Sequence, residues 1–208
     1  MVTTRRKVPA HPPAPLHRRP GDVLTIQPVL WRLHRTRGPF VLPWNGFRIF
    51  GPLTSARWDP HPSPQGEHPG SGVSYAAIDL RTAVAEVFQT ARRVTASDEV
   101  QATSWTPTRS LCLLDLTGDW ALRSDAAHAL AAAPRRVCRT WSQAIRSQWP
   151  DLDGLWAPST LTGSPVVTLY EPAADTFPPA PAFSRPLSAS LLWSLVADAA
   201  ESIGYEIG

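Results

Sequence analysis

A single compact domain of mixed α/β (α+β) class is predicted for this chain, on three observations. Short apolar runs of strand length interleave irregularly with amphipathic helical segments. No internal repeat is visible, and 208 residues suffice for one well-buried core. The 23 prolines, about twice the average usage, gather at residues 8–20, 60–69 and 172–186, which frames a folded body with proline-rich appendages. The domain is therefore expected over residues 28–208. A disordered Pro/Arg-rich tail without apolar periodicity is expected over residues 1–27.

The elements follow in chain order. Pro28 to Thr36 reads as the first strand, with Val29, Leu30, Trp31 and Leu33 as its apolar members. Phe47 to Phe50 alternates weakly and predicts a short strand. Residues 59–72 hold four prolines and three glycines and read as a loop. Val73 to Ile78 is the next strand. Asp79 then stands where its carboxylate can accept the free N–H groups of a helical first turn. That helix, residues 80–92, gathers Ala83, Val84, Val87, Phe88 and Ala91 on one side; Glu86 falls on the other with Thr82, Gln89 and Arg93.

Leu111 to Leu116 is a continuous apolar run of buried-strand length. Ser124 is placed to cap a short alanine-rich helix that ends before Pro134. A longer helix from Arg135 to Trp149 buries Val137, Cys138, Trp141, Ala144 and Ile145, and Pro150 closes it. Two strands, Gly154 to Ala157 and Val166 to Tyr170, precede a last amphipathic helix from Ala189 to Ile203, which Gly204 terminates.

Charge and composition narrow the function. The pI near 9.3 suggests a polyanion partner, but Arg5, Arg6, Lys7, Arg18 and Arg19 lie in the first twenty residues, which contain no acid. Removing those five from the 20 basic residues leaves 15 against 17 acidic ones, so the body lacks the basic face of a nucleic-acid-binding domain. Cys112 and Cys138 are too few for a disulfide framework and too far apart for a zinc knuckle; both read as core thiols. No run approaches the roughly 18 apolar residues of a membrane span. Prolines follow Arg5-Arg6 where a twin-arginine signal needs an apolar segment, so a cytoplasmic location is expected.

The six histidines are scattered, and His61 and His68 sit in the loop without carboxylate or cysteine support at metal spacing, so no metal is expected. Phosphate loops of the Walker and Rossmann kinds are absent. Gly163-Ser164-Pro165 lacks the frame of a nucleophile elbow.

The stretch from Arg57 to Glu86 carries the chemistry. It sets an arginine, a tyrosine and a glutamate around a strand-to-helix turn. A guanidinium can grip a diphosphate, a tyrosine ring can lie against a flat heterocycle, and a carboxylate can steady a developing cation. That set suits a dinucleotide about to lose its nicotinamide. Each residue also has an ordinary alternative: Arg57 stacked on Trp58, Tyr75 in the core, Glu86 solvated on its helix.

Trp31-Arg32-Leu33-His34, Ser55-Ala56-Arg57-Trp58, Tyr75-Ala76-Ala77 and Ala83-Val84-Ala85-Glu86 resemble, in order, the signature of RES-domain proteins. Asp153-Gly154-Leu155-Trp156-Ala157-Pro158-Ser159 is similar to the family's serine-bearing strand. The resemblance spans residues 29–178 and implies the fold of ADP-ribosyltransferase toxins. It also implies an NAD-consuming toxin of a toxin–antitoxin pair, which cleaves the nicotinamide–ribose bond. The most direct outcome is phosphorolysis to nicotinamide and ADP-ribose-1″-phosphate. Hydrolysis of NAD, transfer of ADP-ribose to a macromolecule, and a catalytically weak NAD-binding module remain open.

On this resemblance Arg32 and Arg57 bind the NAD phosphates and Tyr75 lines the nicotinamide site. Glu86 stabilises the cationic transition state, with Arg32 and Ser159 completing the catalytic set and Ser159 helping to place the acceptor. NAD is then a substrate rather than a cofactor, with inorganic phosphate as co-substrate. The expected partner is a cognate antitoxin protein, while homo-oligomerisation is left open. The pattern departs from the family at Thr160 and at Tyr170-Glu171-Pro172, which bears on the acceptor side.

Overall fold

A computed structural model describes residues 7–208. Among these, twelve strands and four α-helices follow in the order β1 (Val23–Ile26), β2 (Leu30–Arg35), β3 (Phe50–Gly51), β4 (Gly66–Glu67), β5 (Val73–Ala77), α1 (Leu80–Phe88), β6 (Arg93–Val94), β7 (Val100–Trp105), β8 (Leu111–Asp115), α2 (Trp120–Arg123), α3 (Arg135–Gln148), β9 (Gly154–Pro158), β10 (Pro165–Tyr170), β11 (Phe183–Pro186), α4 (Ser190–Ser202) and β12 (Glu206–Ile207). The mixed α/β class is as the sequence predicts. Eight strands form one sheet in the order β1-β8-β9-β10-β5-β2-β7-β11, antiparallel throughout except for the parallel pair β8–β9.

Strand alternation sorts the core onto two faces. On one face Leu30, Ala76, Trp105, Leu113, Val167 and Leu169 pack together under Trp44, Phe47 and Phe177. The other face carries two clusters. Around α3, Leu114, Leu155 and Tyr170 pack against Trp58, Trp120 and Trp141. Around α1 and α4, Leu33 and Ala77 pack against Val84, Leu192 and Val196. Val166 touches both clusters, so the sheet between α1 and α3 is the ground on which a site can form.

One discontinuity decides where that site lies. β2 shares six pairs with β7, yet it meets β5 at a single pair, Trp31↔Ala77. Past that pair the edge of β5 is taken instead by the segment before β3, through an isolated bridge between Arg48 and Val73.

Several elements differ from the sequence expectation. Residues 1–6 of the expected disordered tail lie outside the described residues. Residues 7–27, expected to lack structure, are built into the fold. β1 pairs with β8, and Leu16 is buried in the α3 cluster. The indoles of Trp141 and Trp120 donate to Pro9 O (3.1 Å) and His17 O (3.0 Å). The side-chain amide of Gln148 brackets the Leu16 backbone on both its N–H and its carbonyl. This segment satisfies its backbone with side chains of α2 and α3, a pattern without sequence periodicity.

The helix expected over 80–92 stops at Phe88; a turn over residues 89–91 follows, Arg92 adopts a positive φ of 49°, and Arg93–Val94 pairs in parallel with β12. Ser124 ends α2 rather than starting a helix, and the alanine-rich stretch is a 3₁₀ turn, His128–Ala132. The expected Phe47–Phe50 strand is displaced to Phe50–Gly51, which pairs with Gly66–Glu67 inside the expected loop.

Leu16→Ala removes a fully packed side chain from the α3 cluster. It should cost about 2–5 kcal/mol of stability, read as a lowered urea midpoint at unchanged m-value.

Candidate active site

A cavity of about 440 Å³ opens where β2 and β5 cease to pair. Arg32, Arg57, Tyr75 and Glu86 all line it. The four arrive from separate elements: β2, the turn after β3, β5 and α1.

Arg32 projects from β2 across the gap toward β5. Its Nη1 donates to Trp44 O (2.9 Å), Gly46 O (3.0 Å) and Ser74 Oγ (2.7 Å). Among the described residues no carboxylate pairs with it, and its Nη2 and Nε have no acceptor. Burial without a counter-charge lowers its pKa to about 10. An anion in the cavity would supply what the protein withholds.

Arg57 is anchored at the start of α3, where its Nη1 donates to Ala133 O (2.6 Å) and meets Cys138 Sγ at 3.7 Å. It too has no carboxylate partner among the described residues. The stacking alternative does not occur, since Trp58 is buried in the α3 cluster and the described cation–π contacts involve Arg18 and Arg146. Cys138 is a core thiol whose pKa burial raises.

Glu86 stands on the polar side of α1. Asp79 caps that helix as expected, its Oδ1 accepting the Thr82 N–H at 2.6 Å. The polar side faces protein rather than open water. Thr82 is fully buried and shares a 2.9 Å hydrogen bond with Thr162 in the turn between β9 and β10. From the same turn Ser159 Oγ donates to Glu86 Oε1 at 2.7 Å, while accepting from the N–H groups of Leu161 (3.1 Å) and Thr162 (3.3 Å). Ser159 is thus both a turn residue and the group that orients Glu86. Val87, expected in the buried stripe, is half exposed and lies on the cavity wall.

Tyr75 pairs with Thr168 across β10, and both face the cavity. Its hydroxyl donates to Asp59 Oδ1 at 2.6 Å. Asp59 is fully buried; it also accepts from Arg48 and from the Leu53 N–H at 2.7 Å. Burial alone would raise the Asp59 carboxyl, but His61, Arg48, the Leu53 N–H and Tyr75 together hold it well below the usual carboxylate range. Burial first, and then the Asp59 charge, push the Tyr75 phenol well above its ordinary value.

The sequence reading passed over Arg48, Asp59 and His61. It placed His61 in an unsupported loop; instead the ring is fully buried, with Nδ1 3.6 Å from Asp59 Oδ2 and Nε2 3.1 Å from Arg48 O. A Cβ at Gly51 would come within 2.4 Å of that ring. The signal available was Asp59 itself, an acid following Arg57-Trp58 directly. Tyr170 and Glu171, where the family pattern breaks, have structural partners: Tyr170 shares a 2.9 Å hydrogen bond with Ser142, and Glu171 accepts the Gly72 N–H at 2.8 Å. Among the described residues no group of three or more His, Cys, Asp or Glu could hold a metal ion, and no helix is long and apolar enough to cross a membrane.

Residues 29–189 match the family model of the RES domain. The chain belongs to the RES-domain family. Among solved structures this RES domain is similar to one titled "Crystal structure of the M.tuberculosis MbcT-MbcA toxin-antitoxin complex", with 17% identity and a TM-score of 0.57 over 84% of this chain and 92% of that one. At that identity the likeness establishes a shared fold. No curated protein matches the chain. The family match begins at residue 29, so β1 and the segment before it lie outside the matched region.

Inorganic pyrophosphate should raise the melting temperature of the wild-type chain, and Arg32→Met or Arg57→Met should each weaken its apparent affinity about tenfold or more. Asp59 ionises at lower pH in the folded chain than in the unfolded one. Its contribution is therefore complete above the unfolded carboxylate pKa of roughly 4 and is lost as pH falls toward the folded value. Asp59→Asn should lower stability at neutral pH and flatten the acid limb of a stability–pH curve.

Proposed function

We propose that this RES domain is a toxin enzyme that consumes NAD by cleaving its nicotinamide–ribose bond. The observation that carries the reading is the pairing, in one cavity, of Arg32 and Arg57, which have no carboxylate partner among the described residues, with a serine-held glutamate. Two guanidiniums match the two charges of a dinucleotide's diphosphate. The cavity volume falls within the ordinary range for small-molecule sites.

In this mechanism Arg32 and Arg57 hold the diphosphate, and the nicotinamide lies beside Tyr75. The leaving group departs from a cationic pyridinium, so it needs no proton. Positive charge then develops on the ribose, as in glycoside cleavage. Glu86, fixed by Ser159, supplies a preorganised negative charge beside it. The carboxylate is already oriented before NAD arrives, which limits reorganisation during the reaction.

Phosphate is the acceptor we favour, giving ADP-ribose-1″-phosphate; water or a macromolecular side chain would use the same cation. Ser159 would have to release Glu86 to hold the acceptor itself, so its role is assigned through Glu86. A cognate antitoxin protein is the proposed partner, supported by the fold shared with a toxin solved in complex with its antitoxin.

Incubation of the purified chain with NAD, with and without phosphate, should release nicotinamide, and product masses distinguish phosphorolysis, hydrolysis and transfer. Glu86→Gln should cut the rate by about 10²–10³. A Glu86→Gln variant that releases nicotinamide at a near-normal rate would overturn the mechanism.

A further inference from the structure

Tyr75 does not offer its hydroxyl proton to the cavity; that proton is committed to Asp59 Oδ1 at 2.6 Å. The same oxygen accepts from Arg48, whose other terminal nitrogen is held on Phe50 O. Oδ2 accepts from the Leu53 N–H. Asp59 is fully buried and does not line the cavity, whereas Tyr75 and Arg48 do. A carboxylate so enclosed can reach a ligand only through the two side chains it holds.

We infer that Asp59 is a positioning residue of the active site, which fixes the Tyr75 ring on the cavity wall with its phenol oxygen presented as an acceptor and tethers Arg48 beside it. The inference rests on the NAD-cleaving reading of the same cavity. It goes beyond that reading by giving the site a second layer, built by the segment from Arg48 to His61. That segment is pinned at one end by the Arg48–Val73 bridge and at the other by burial of His61.

The consequence for ligand chemistry is specific. At this end of the cavity the ring offers an aromatic face and a lone pair but no proton. A cationic or hydrogen-donating heterocycle is met, and a group that needs a donor from Tyr75 is not. The charged and titratable groups around the phenol are Asp59 and Arg48 from the segment that pairs beside β5, with His61 behind Asp59, and Tyr170 from β10. Burial, and then the negative charge of Asp59, keep Tyr75 protonated.

The chain has three tyrosines, so ionisation of each can be followed by ultraviolet absorbance in the intact protein. Wild type should show no Tyr75 ionisation in the ordinary phenol range near pH 10. Asp59→Asn should lower the pH at which Tyr75 ionises, burial still holding it above the ordinary phenol value, and Asp59→Asn/Tyr75→Phe should remove that transition. A Tyr75 ionisation left unchanged by Asp59→Asn would overturn the inference.

In kinetics Asp59→Asn should lower kcat for NAD cleavage about tenfold to a hundredfold, with a smaller change in KM. The double variant should lose less than the product of the two single losses, because part of the Asp59 effect acts through Tyr75 and part through Arg48. Losses that multiply would overturn the inference, as would a Tyr75 that titrates normally in wild type. That second measurement stands even if Asp59→Asn fails to fold. The titration needs no NAD, and Glu86→Gln measured alongside reports on the cleavage reading itself, so failure of either idea is seen separately.

Discussion

Arg32 spans a place where the sheet comes apart. β2 and β5 are neighbours by order but share one pair, and the guanidinium bridges the gap by donating to Ser74 on β5 and to two carbonyls of the chain that follows β2. A closed ladder there would leave no cavity and would give the arginine no interior path. The gap costs backbone hydrogen bonds that a continuous sheet would make; the Arg48–Val73 bridge and the Arg32 contacts restore part of them. The cavity, its arginine and the second layer behind Tyr75 all descend from that interruption.

Electrostatics sets Arg32 and Arg57 apart from the ion-paired arginines, of which Arg48 is one even on the cavity wall. Several arginines that join segments are given acids. Arg109 takes Asp153 in bidentate fashion and Asp175 as well, Arg123 pairs with Asp22, and Arg18 pairs with Asp151. Among the described residues, Arg32 and Arg57 are given carbonyls, a hydroxyl and a thiol and no acid. Neutral acceptors hold a guanidinium in place without cancelling its charge, which keeps the cavity attractive to anions. Asp59 is the instructive contrast, because its charge is enclosed and spent on Arg48 and Tyr75 rather than shown to the ligand.

Legibility followed local physics. Strands with continuous apolar runs, such as Leu111–Asp115 and Pro165–Tyr170, and the strongly amphipathic helix Arg135–Gln148 were readable to within a residue or two. Val100–Trp105 escaped notice because Gln101, Thr103 and Ser104 interrupt its apolar pattern; Thr103 is buried only because Ser184 and His34 satisfy its hydroxyl. The segment 7–22 likewise carries no period of its own, and its order comes from indole donors and a side-chain amide, acceptor and donor at once, more than a hundred residues away. His61 looked like loop because burial of a histidine among prolines has no local sequence signature.

The order of Arg32, Arg57, Tyr75, Glu86 and Ser159 along the chain was enough to point to the family, because each sits in a short motif whose residue types suit one chemistry. Which of them share a cavity, and what each one touches, depended on long-range pairing. Ser159 meets Glu86 across 73 positions and Arg57 meets Ala133 across 76, contacts that local periodicity cannot encode. Asp59 shows the same division: its identity is plain in the sequence, but only the fold removes it from water and places the Tyr75 hydroxyl upon it.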